Sequence, residues 1–445
     1  MKKVIIIFVC IIVALIAGIG SMFVFQLCPP QGPWPTPPWC VYYQKVEPYQ
    51  YQELDYITEK FEKTNKELVF GVGTMDIWGN PHLWIDLGED ATKSVKPTLK
   101  RIADIGGELF YITDFVILQN NGNILIPTKK QAPFHYNIKQ KELSNIVKEA
   151  RKNNLKVMMI INLADTEDEV MGYLESAEKA GNEREASIAR KYAEFIEKNI
   201  GLSTKNIFKN FTKADWDRIF DRWKEIMIYE AKKAENAGVD YLIISPEDCV
   251  FQYYTSPEYQ SEKYKEIASE IKKYYNGKIG IEGRSLSFLT SIDINYIDFV
   301  VVGFNPNGEP ETKEIFGNVE ENLDSIEQAW SKFFSKEEWR KLKDKETYLL
   351  VTLPSYDGAL RKGWIEPGRI YTNLHRDFKE QALGYEGMFR VLYKQDVPLT
   401  GIISYGYWWN DRLYPETPNL RNDLSHSIRS KDAEHVFYKW SRIFK

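Results

Sequence analysis

Cysteine is scarce in this chain: four residues in 445, at positions 10, 28, 40 and 249, with no CxxC pair and no cysteine–histidine spacing of a zinc site. Histidine is nearly as rare. His82, His135, His375, His426 and His435 show no ligand spacing, so no metal and no organic cofactor is expected. The glycine-rich stretch GVGTMDIWG lacks the third glycine of the dinucleotide fingerprint, and no Walker motif occurs. A basic block is missing too: 58 basic and 63 acidic residues are mixed along the chain for a net charge of −5, which argues against nucleic acid as a partner. What is abundant is apolar and aromatic. Hydrophobic side chains make up 43% and aromatics 14%, including 27 Tyr and 12 Trp, enough for a large core and for rings that stack on flat ligand faces.

The N-terminus is set apart from the rest. Lys2 and Lys3 precede 24 uncharged residues, VIIIFVCIIVALIAGIGSMFVFQL, long enough to cross a hydrocarbon core of about 30 Å. The apolar run continues past its small-residue cluster, Ala17 to Ser21, where a cleaved signal would end. Residues 1–27 are therefore expected to be a transmembrane signal anchor, with the lysines cytoplasmic and the remainder outside; secretion after cleavage is the alternative. Residues 28–48 hold CPPQGPWPTPPWC, a stiff proline-rich spacer whose bounding Cys28 and Cys40 either pair or remain free or lipidated thiols. The sequon Asn210-Phe211-Thr212 fits an extracytoplasmic domain.

From about residue 65, short apolar β-branched runs alternate with amphipathic stretches, the pattern of repeated βα units on a parallel sheet. Eight strands are expected at 67–74, 109–116, 155–162, 239–245, 278–283, 297–304, 347–353 and 399–407. Between them lie helical patterns such as KQKELSNIVKEARKNN and EKYKEIASEIKKYYNG, with glycines expected to cap helix ends in NAGVD and YNGKI. Eight strands leave no sheet edge when they close, so the expected fold is an α/β (β/α)8 TIM barrel over 49–445, with a helical insertion around 164–238. A doubly wound open sheet is the runner-up.

In such a barrel the reacting groups stand at the C-terminal ends of strands. The polar residues there are Asp76 and Trp78 after the first strand, Asp114 on the second, Asn162 on the third, Glu247 on the fourth, Glu282 on the fifth, Asn305 on the sixth, Asp357 after the seventh, and Tyr405, Trp408, Trp409 and Asp411 on the eighth. Together they describe a cup of carboxylates, amides and aromatic rings, a lining suited to a sugar. Glu247 follows Pro246 at the mouth of a strongly apolar strand, where partial desolvation suits a general acid.

Read in order, these segments resemble the β-mannanases of glycoside hydrolase family 113 over roughly residues 67–443. ADIGGELFYITDFVILQNNGNILIP looks like that family's second βα unit and KELSNIVKEARKNNLKVMMIINL like its third. WDRIFDRWKEIMIYEAKKAENAGVDYLIISPE resembles the helix and strand that deliver the acid/base glutamate, which maps onto Glu247. HRDFKEQALGYEGMF, GIISYGYWWND and SKDAEHVFYKW are similar to the closing elements. The family's seventh strand ends in Thr-Glu followed by Gly-Tyr, and that glutamate is the nucleophile. Here LLVTLPSYDGAL keeps Thr352 and Tyr356 but has Leu353 in the nucleophile's place, and a leucine can neither form a glycosyl ester nor stabilise an oxocarbenium ion. The apolar N-terminus and the resemblance together lead to the expectation of a membrane-anchored, extracytoplasmic glycoside hydrolase acting on a polysaccharide or glycoconjugate, with Glu247 as general acid/base by resemblance and Tyr356 among the substrate contacts; the second carboxylate would be Glu282, Asp357 or Asp114, the strand-end Glu282 ranking ahead of Asp357. The alternative is a glycan-binding surface protein that has lost hydrolysis.

Overall fold

Each of the eight apolar runs forms a strand in the computed structural model, which describes residues 48–74, 92–119, 122–128, 137–165, 211–247, 250–363, 373–407 and 423–444, with eight single positions between 178 and 197. In chain order they are β1 Val69–Thr74, β2 Leu109–Leu118, β4 Lys156–Asp165, β5 Tyr241–Pro246, β6 Lys278–Gly283, β7 Phe299–Phe304, β8 Glu346–Val351 and β9 Gly401–Tyr405. A further short strand, β3 Ile124–Leu125, folds back antiparallel on the end of β2. The other neighbours pair in parallel, and β1 pairs with both β2 and β9, so the sheet closes. Closure excludes the open doubly wound sheet and establishes the (β/α)8 barrel.

Among the described residues the helices of twelve residues or more are α1 Thr92–Asp104, α2 Gln140–Lys152, α3 Lys213–Ala237, α4 Pro257–Ile271, α5 Leu323–Phe334, α6 Phe378–Lys394 and α7 Asp432–Ile443. Helix α3 shows why these stretches are helical. Thr212 accepts a hydrogen bond from the Asp215 amide in a capping box, apolar Trp216, Ile219, Phe220, Trp223, Ile226 and Met227 recur at three and four residues, and Gly238 ends it in the left-handed conformation. The second expected glycine cap does not form: Gly277 is absent from the positive-φ glycines. Its glycine answers a close approach instead, because a Cβ there would collide with the hydroxyl of Tyr275, which donates to the Val239 carbonyl.

Strand alternation divides the apolar residues into two sets. Leu109, Tyr111, Met158, Ile160, Tyr241, Ile243, Phe299, Val301, Tyr348, Leu350 and Ile403 fill the barrel interior. The opposite faces of the same strands pack against the helices in one larger core. Among the described residues no helix is long and apolar enough to cross a membrane. The expected anchor over 1–27, Cys28, Cys40, Asp76, Trp78, Trp408, Trp409 and Asp411 all lie outside the described residues.

Candidate active site

Glu247 follows β5 directly, where the ladder to β4 is irregular: Met158 pairs with Tyr241 and Met159 with Leu242, but Ile161 pairs with Pro246. The shift inserts extra residues into β5 and re-aims its end. The Glu247 amide is held by the Ile161 carbonyl at 3.0 Å, and the side chain, 9% exposed, enters the cup. Three donors from three other strands converge on it. Thr113 Oγ1 donates to Oε1 at 3.0 Å, Tyr405 Oη donates to the same oxygen at 2.6 Å, and Asn162 Nδ2 donates to Oε2 at 3.0 Å. Asn162 Oδ1 is buried and has no partner, which leaves an acceptor ready for a substrate hydroxyl or a water.

Glu282 stands on the adjacent strand, 4% exposed. The β5–β6 register, Tyr241 to Lys278 through Ile243 to Gly280, places Glu282 level with Ser245 and one inward step below Glu247. With neighbouring strands about 4.8 Å apart and two residues of rise, the two Cα atoms are roughly 8 Å apart. Ser245 Oγ fixes the Glu282 backbone, accepting from its amide at 2.8 Å and donating to its carbonyl at 3.1 Å. The Tyr111 hydroxyl crosses the barrel to donate to Glu282 Oε2 at 2.8 Å. Burial first, then the carboxylates of Glu282 and Glu247, push that hydroxyl well above the ordinary tyrosine range, so Tyr111 stays a donor.

The tyrosines share a seat. Gly73 on β1 pairs with Tyr405 on one side and Tyr111 on the other, and the two rings meet edge to face at 5.9 Å. A Cβ at position 73 would stand 3.0 Å from Tyr405 Cδ2 and 3.1 Å from Tyr111 Cδ1. Behind Tyr405, the His426 ring stacks at 5.6 Å and 9°, buried and neutral; burial, with Lys431 adding, lowers its pKa to about 3. Gly406, at φ 86°, follows Tyr405 where a Cβ would strike that imidazole. Replacing Gly73 with valine is expected to cost about 1–3 kcal/mol of stability by overpacking. The denaturation midpoint should fall accordingly, and an unchanged midpoint for Gly73→Val would contradict this placement.

Several expected site residues are elsewhere. Asp114 points away from the cup, since alternation along β2 gives the inward position to Thr113. Its carboxylate is buried against α3, accepting from the Phe115 and Ile138 amides and lying 2.5 Å from Lys233 Nζ. The same ammonium lies 2.5 Å from Glu230 Oε2 and donates to Asn137 Oδ1 at 2.8 Å, while Asn137 Nδ2 donates to Glu230 Oε1 at 2.7 Å. Tyr356 is buried with its hydroxyl donating to the Gly363 carbonyl, tying a loop together. Asp357 is exposed, and its carboxylate gathers with those of Glu321 and Glu380 within 4.8 Å, beside the outer helices. Glu380 is anchored there by the Gly358 and Leu360 amides; burial, with Glu321 adding, pushes its carboxyl up to about 7 against those donors. These three acids could share a cation, whereas Glu247 and Glu282 meet hydroxyl and amide donors. Asn305 reaches the rim, where its Oδ1 accepts from the Asn307 amide in a turn. Leu353 is buried on the helix side, in contact range of Gly384 on α6, and Gln381 Nε2 donates to its carbonyl at 2.6 Å.

Residues the sequence reading missed are Tyr111, Thr113, Gly73 and His426. The first two were within reach: in FYITD, the alternation that buries Tyr111 in the barrel also carries Thr113 inward and Asp114 out. Nothing local marks Gly73 or His426 as partners of residues more than 300 positions away or on another loop.

The closed parallel sheet with its surrounding helices is the (β/α)8 architecture, which by itself fixes no activity. No protein-family model and no curated protein matches the sequence. Among solved structures the chain is similar to the GH113 β-mannanase AaManA from Alicyclobacillus acidocaldarius in complex with ManMIm, at 15% identity and TM-score 0.52, over 86% of this chain and 98% of that one. It is similar to a GH113 β-1,4-mannanase at 14% identity and TM-score 0.54, over 84% and 99%. A glycoside hydrolase family 5 mannosidase from Rhizomucor miehei follows at 11% identity and TM-score 0.50, over 85% and 93%. The likeness spans nearly the whole of each neighbour, and it is a likeness of fold.

Proposed function

We propose that the protein is a glycoside hydrolase acting on a polysaccharide or glycoconjugate, with Glu247 and Glu282 as its catalytic carboxylates and Glu247 in the acid/base position of the fold. The observation that supports it is the pairing of two carboxyl groups at the ends of adjacent strands, both near the Tyr111 hydroxyl. Hydrolysis of an acetal needs one group to protonate the departing oxygen and another to stabilise or assist attack at C1. The Asn162 amide oxygen and the Tyr405 ring supply a polar contact and a face for a sugar beside that pair. Because the fold neighbours are named as β-mannanases and a mannosidase, β-mannan is the first substrate to try. The test is release of reducing ends from a panel of β-mannan, β-glucan and other glycans by the full chain in detergent.

The placement of Leu353 supports a second reading, glycan binding without hydrolysis. Its side chain packs against α6 and contributes no acid to the cup. Retained glycan binding with no turnover would favour it.

We further propose that residues 1–27 hold the barrel at the outer face of the membrane, on the strength of their 24 uncharged residues behind two lysines. Recovery of the full chain in the membrane fraction, with the barrel open to added protease in intact cells, is the expected result; a wholly soluble chain contradicts it.

A further inference from the structure

We propose that residues 48–53 form a strap latched to α7 through the neutral ring of His435, and that protonation of His435 releases the strap as pH falls below the neutral range. The inference concerns the outside of the barrel and does not rest on the hydrolase reading.

The strap buries little of itself. Residues 48–53 form neither helix nor strand; Tyr49 is half-buried, and Pro48, Gln50, Tyr51, Gln52 and Glu53 are exposed. A segment with so little buried surface opens locally at small cost. Its ties converge on α7. The rings of Tyr49 and Tyr51 lie 5.2 and 5.1 Å from that of Tyr438, and 5.6 and 6.0 Å from that of His435. His435 Nδ1 stands 3.2 Å from the Gln52 amide nitrogen and 3.0 Å from the Tyr49 hydroxyl. Beyond the strap the chain is fastened separately, by the Tyr56 hydroxyl donating to Asp432 Oδ2 and by the ion pair of Glu59 with Arg390.

The hydrogen-bond roles fix the protonation of the ring. A backbone amide only donates, so Nδ1 is the acceptor and carries no proton, and the Tyr49 hydroxyl, sharing the same lone pair, donates as well. Burial first, then the Glu434 charge, pushes that hydroxyl well above the ordinary tyrosine range, so it keeps its proton to give. An imidazolium carries a proton on both nitrogens. The tyrosine can turn to accept from it, but the Gln52 amide then meets a donor and its bond is lost.

The surroundings of the ring set the direction of the response. Burial holds the His435 pKa below the ordinary histidine value and outweighs the Glu434 and Asp432 charges on α7, which raise it; Arg101 of α1 adds to the lowering. Both acids are committed elsewhere, Glu434 to Arg101 and the Tyr407 hydroxyl, Asp432 to Tyr56. Tyr49, Tyr51 and Tyr438 present rings to the imidazole. With its pKa lower in the latched state than in the released one, His435 binds fewer protons when latched. The latch therefore holds fully above about pH 6.5 and is lost progressively as pH falls below it. Release adds six residues to the chain that precedes the barrel, roughly 20 Å of extra reach.

The test is amide hydrogen exchange, read by mass spectrometry on the full chain in detergent at pH 7.5 and 5.0, with rates corrected for the intrinsic pH dependence of exchange. Wild type is compared with His435→Asn, whose side-chain oxygen offers a non-titrating acceptor close to the place of Nδ1. In the wild type, exchange of the peptide covering 48–53 should rise about threefold or more at the lower pH relative to the peptide carrying β1. In His435→Asn it should be the same at both pH values. A rise as large in His435→Asn assigns the release to other groups and overturns the inference, as does wild-type exchange that does not change with pH. A second measurement needs no variant: slow deuteration of the His435 ring carbon between its nitrogens, followed against pH in the wild type, reports its titration. A midpoint below about 6.5 is expected, and one at or above that value overturns the inference.

Discussion

Glu247→Gln and Glu282→Gln are each expected to lower turnover of a susceptible glycan on the order of 10³-fold, the usual worth of a positioned acid or base. The size follows from what an amide does at each place. At position 247 a glutamine presents one oxygen and one NH2 to the donors of Thr113, Tyr405 and Asn162, so at least one of these then faces another donor and the site loses a titratable group. At position 282 a glutamine can still accept from Tyr111 but can neither give nor take a proton. Both changes leave the barrel core untouched, and Glu282→Gln leaves the Asn162 acceptor as it is, so glycan binding should persist. Loss of turnover with retained binding in both variants is the signature of a carboxylate pair. Loss in Glu247→Gln alone would leave Glu282 without a catalytic role.

Lys233→Met is expected to destabilise the fold by about 3–5 kcal/mol, as measured by denaturant unfolding. Lys233 is the cation between two carboxylates that are themselves fully buried, Asp114 on β2 and Glu230 on its own helix. Removing it strands like charges in the core, so Lys233→Met combined with Asp114→Asn and Glu230→Gln should recover most of the loss. A pH dependence belongs to the same network. Burial is the largest influence on Glu230 and pushes its carboxyl from 4.5 up to about 7, the Asp114 charge adding to it and Lys233 opposing. A raised folded pKa means that the native state binds more protons than the unfolded chain between those values. Stability is therefore greatest below about 4.5, falls as pH rises towards 7 by up to about 1.4 kcal/mol per pH unit, and changes no further from this group above that. Asp114 is shifted upward as well, again by burial, and acts in the same direction from its lower ordinary value. In Glu230→Gln the fall should shrink to what Asp114 contributes; an unchanged slope would place the proton elsewhere.

The strands were legible because their signal is local and redundant. KIGIEG is found at the residues expected, 278–283, and the other seven strands differ from expectation by a few residues at their ends. Glu247 and Glu282 were legible for a related reason, since an acid closing a barrel strand points into the cup unless the register changes. What could not be read was set by distance. The irregular pairing of β5 with β4, the seat of Tyr111 and Tyr405 over Gly73, and the stacking of His426 on Tyr405 all join segments far apart in the chain. Asp114 misled because a charged residue near a strand end invites a functional role. One position's shift in the two-residue period of β2 places it against Lys233 instead. Leu353 shows the converse. Its replacement of the family's glutamate was plain, but only the packing against α6 shows that the position faces the helix layer; among the described residues Glu282 on β6 is a buried acid on the strand next to the one that Glu247 follows.

The most direct test is reducing-end release from β-1,4-mannan and the wider glycan panel by the full chain, alongside Glu247→Gln and Glu282→Gln, with glycan binding measured in parallel. Two carboxylates that hydrolyse a glycosidic bond predict turnover by the wild type, none by either variant, and similar binding by all three. Binding by all three without turnover by any would contradict it and leave a barrel that holds sugars and does not cut them.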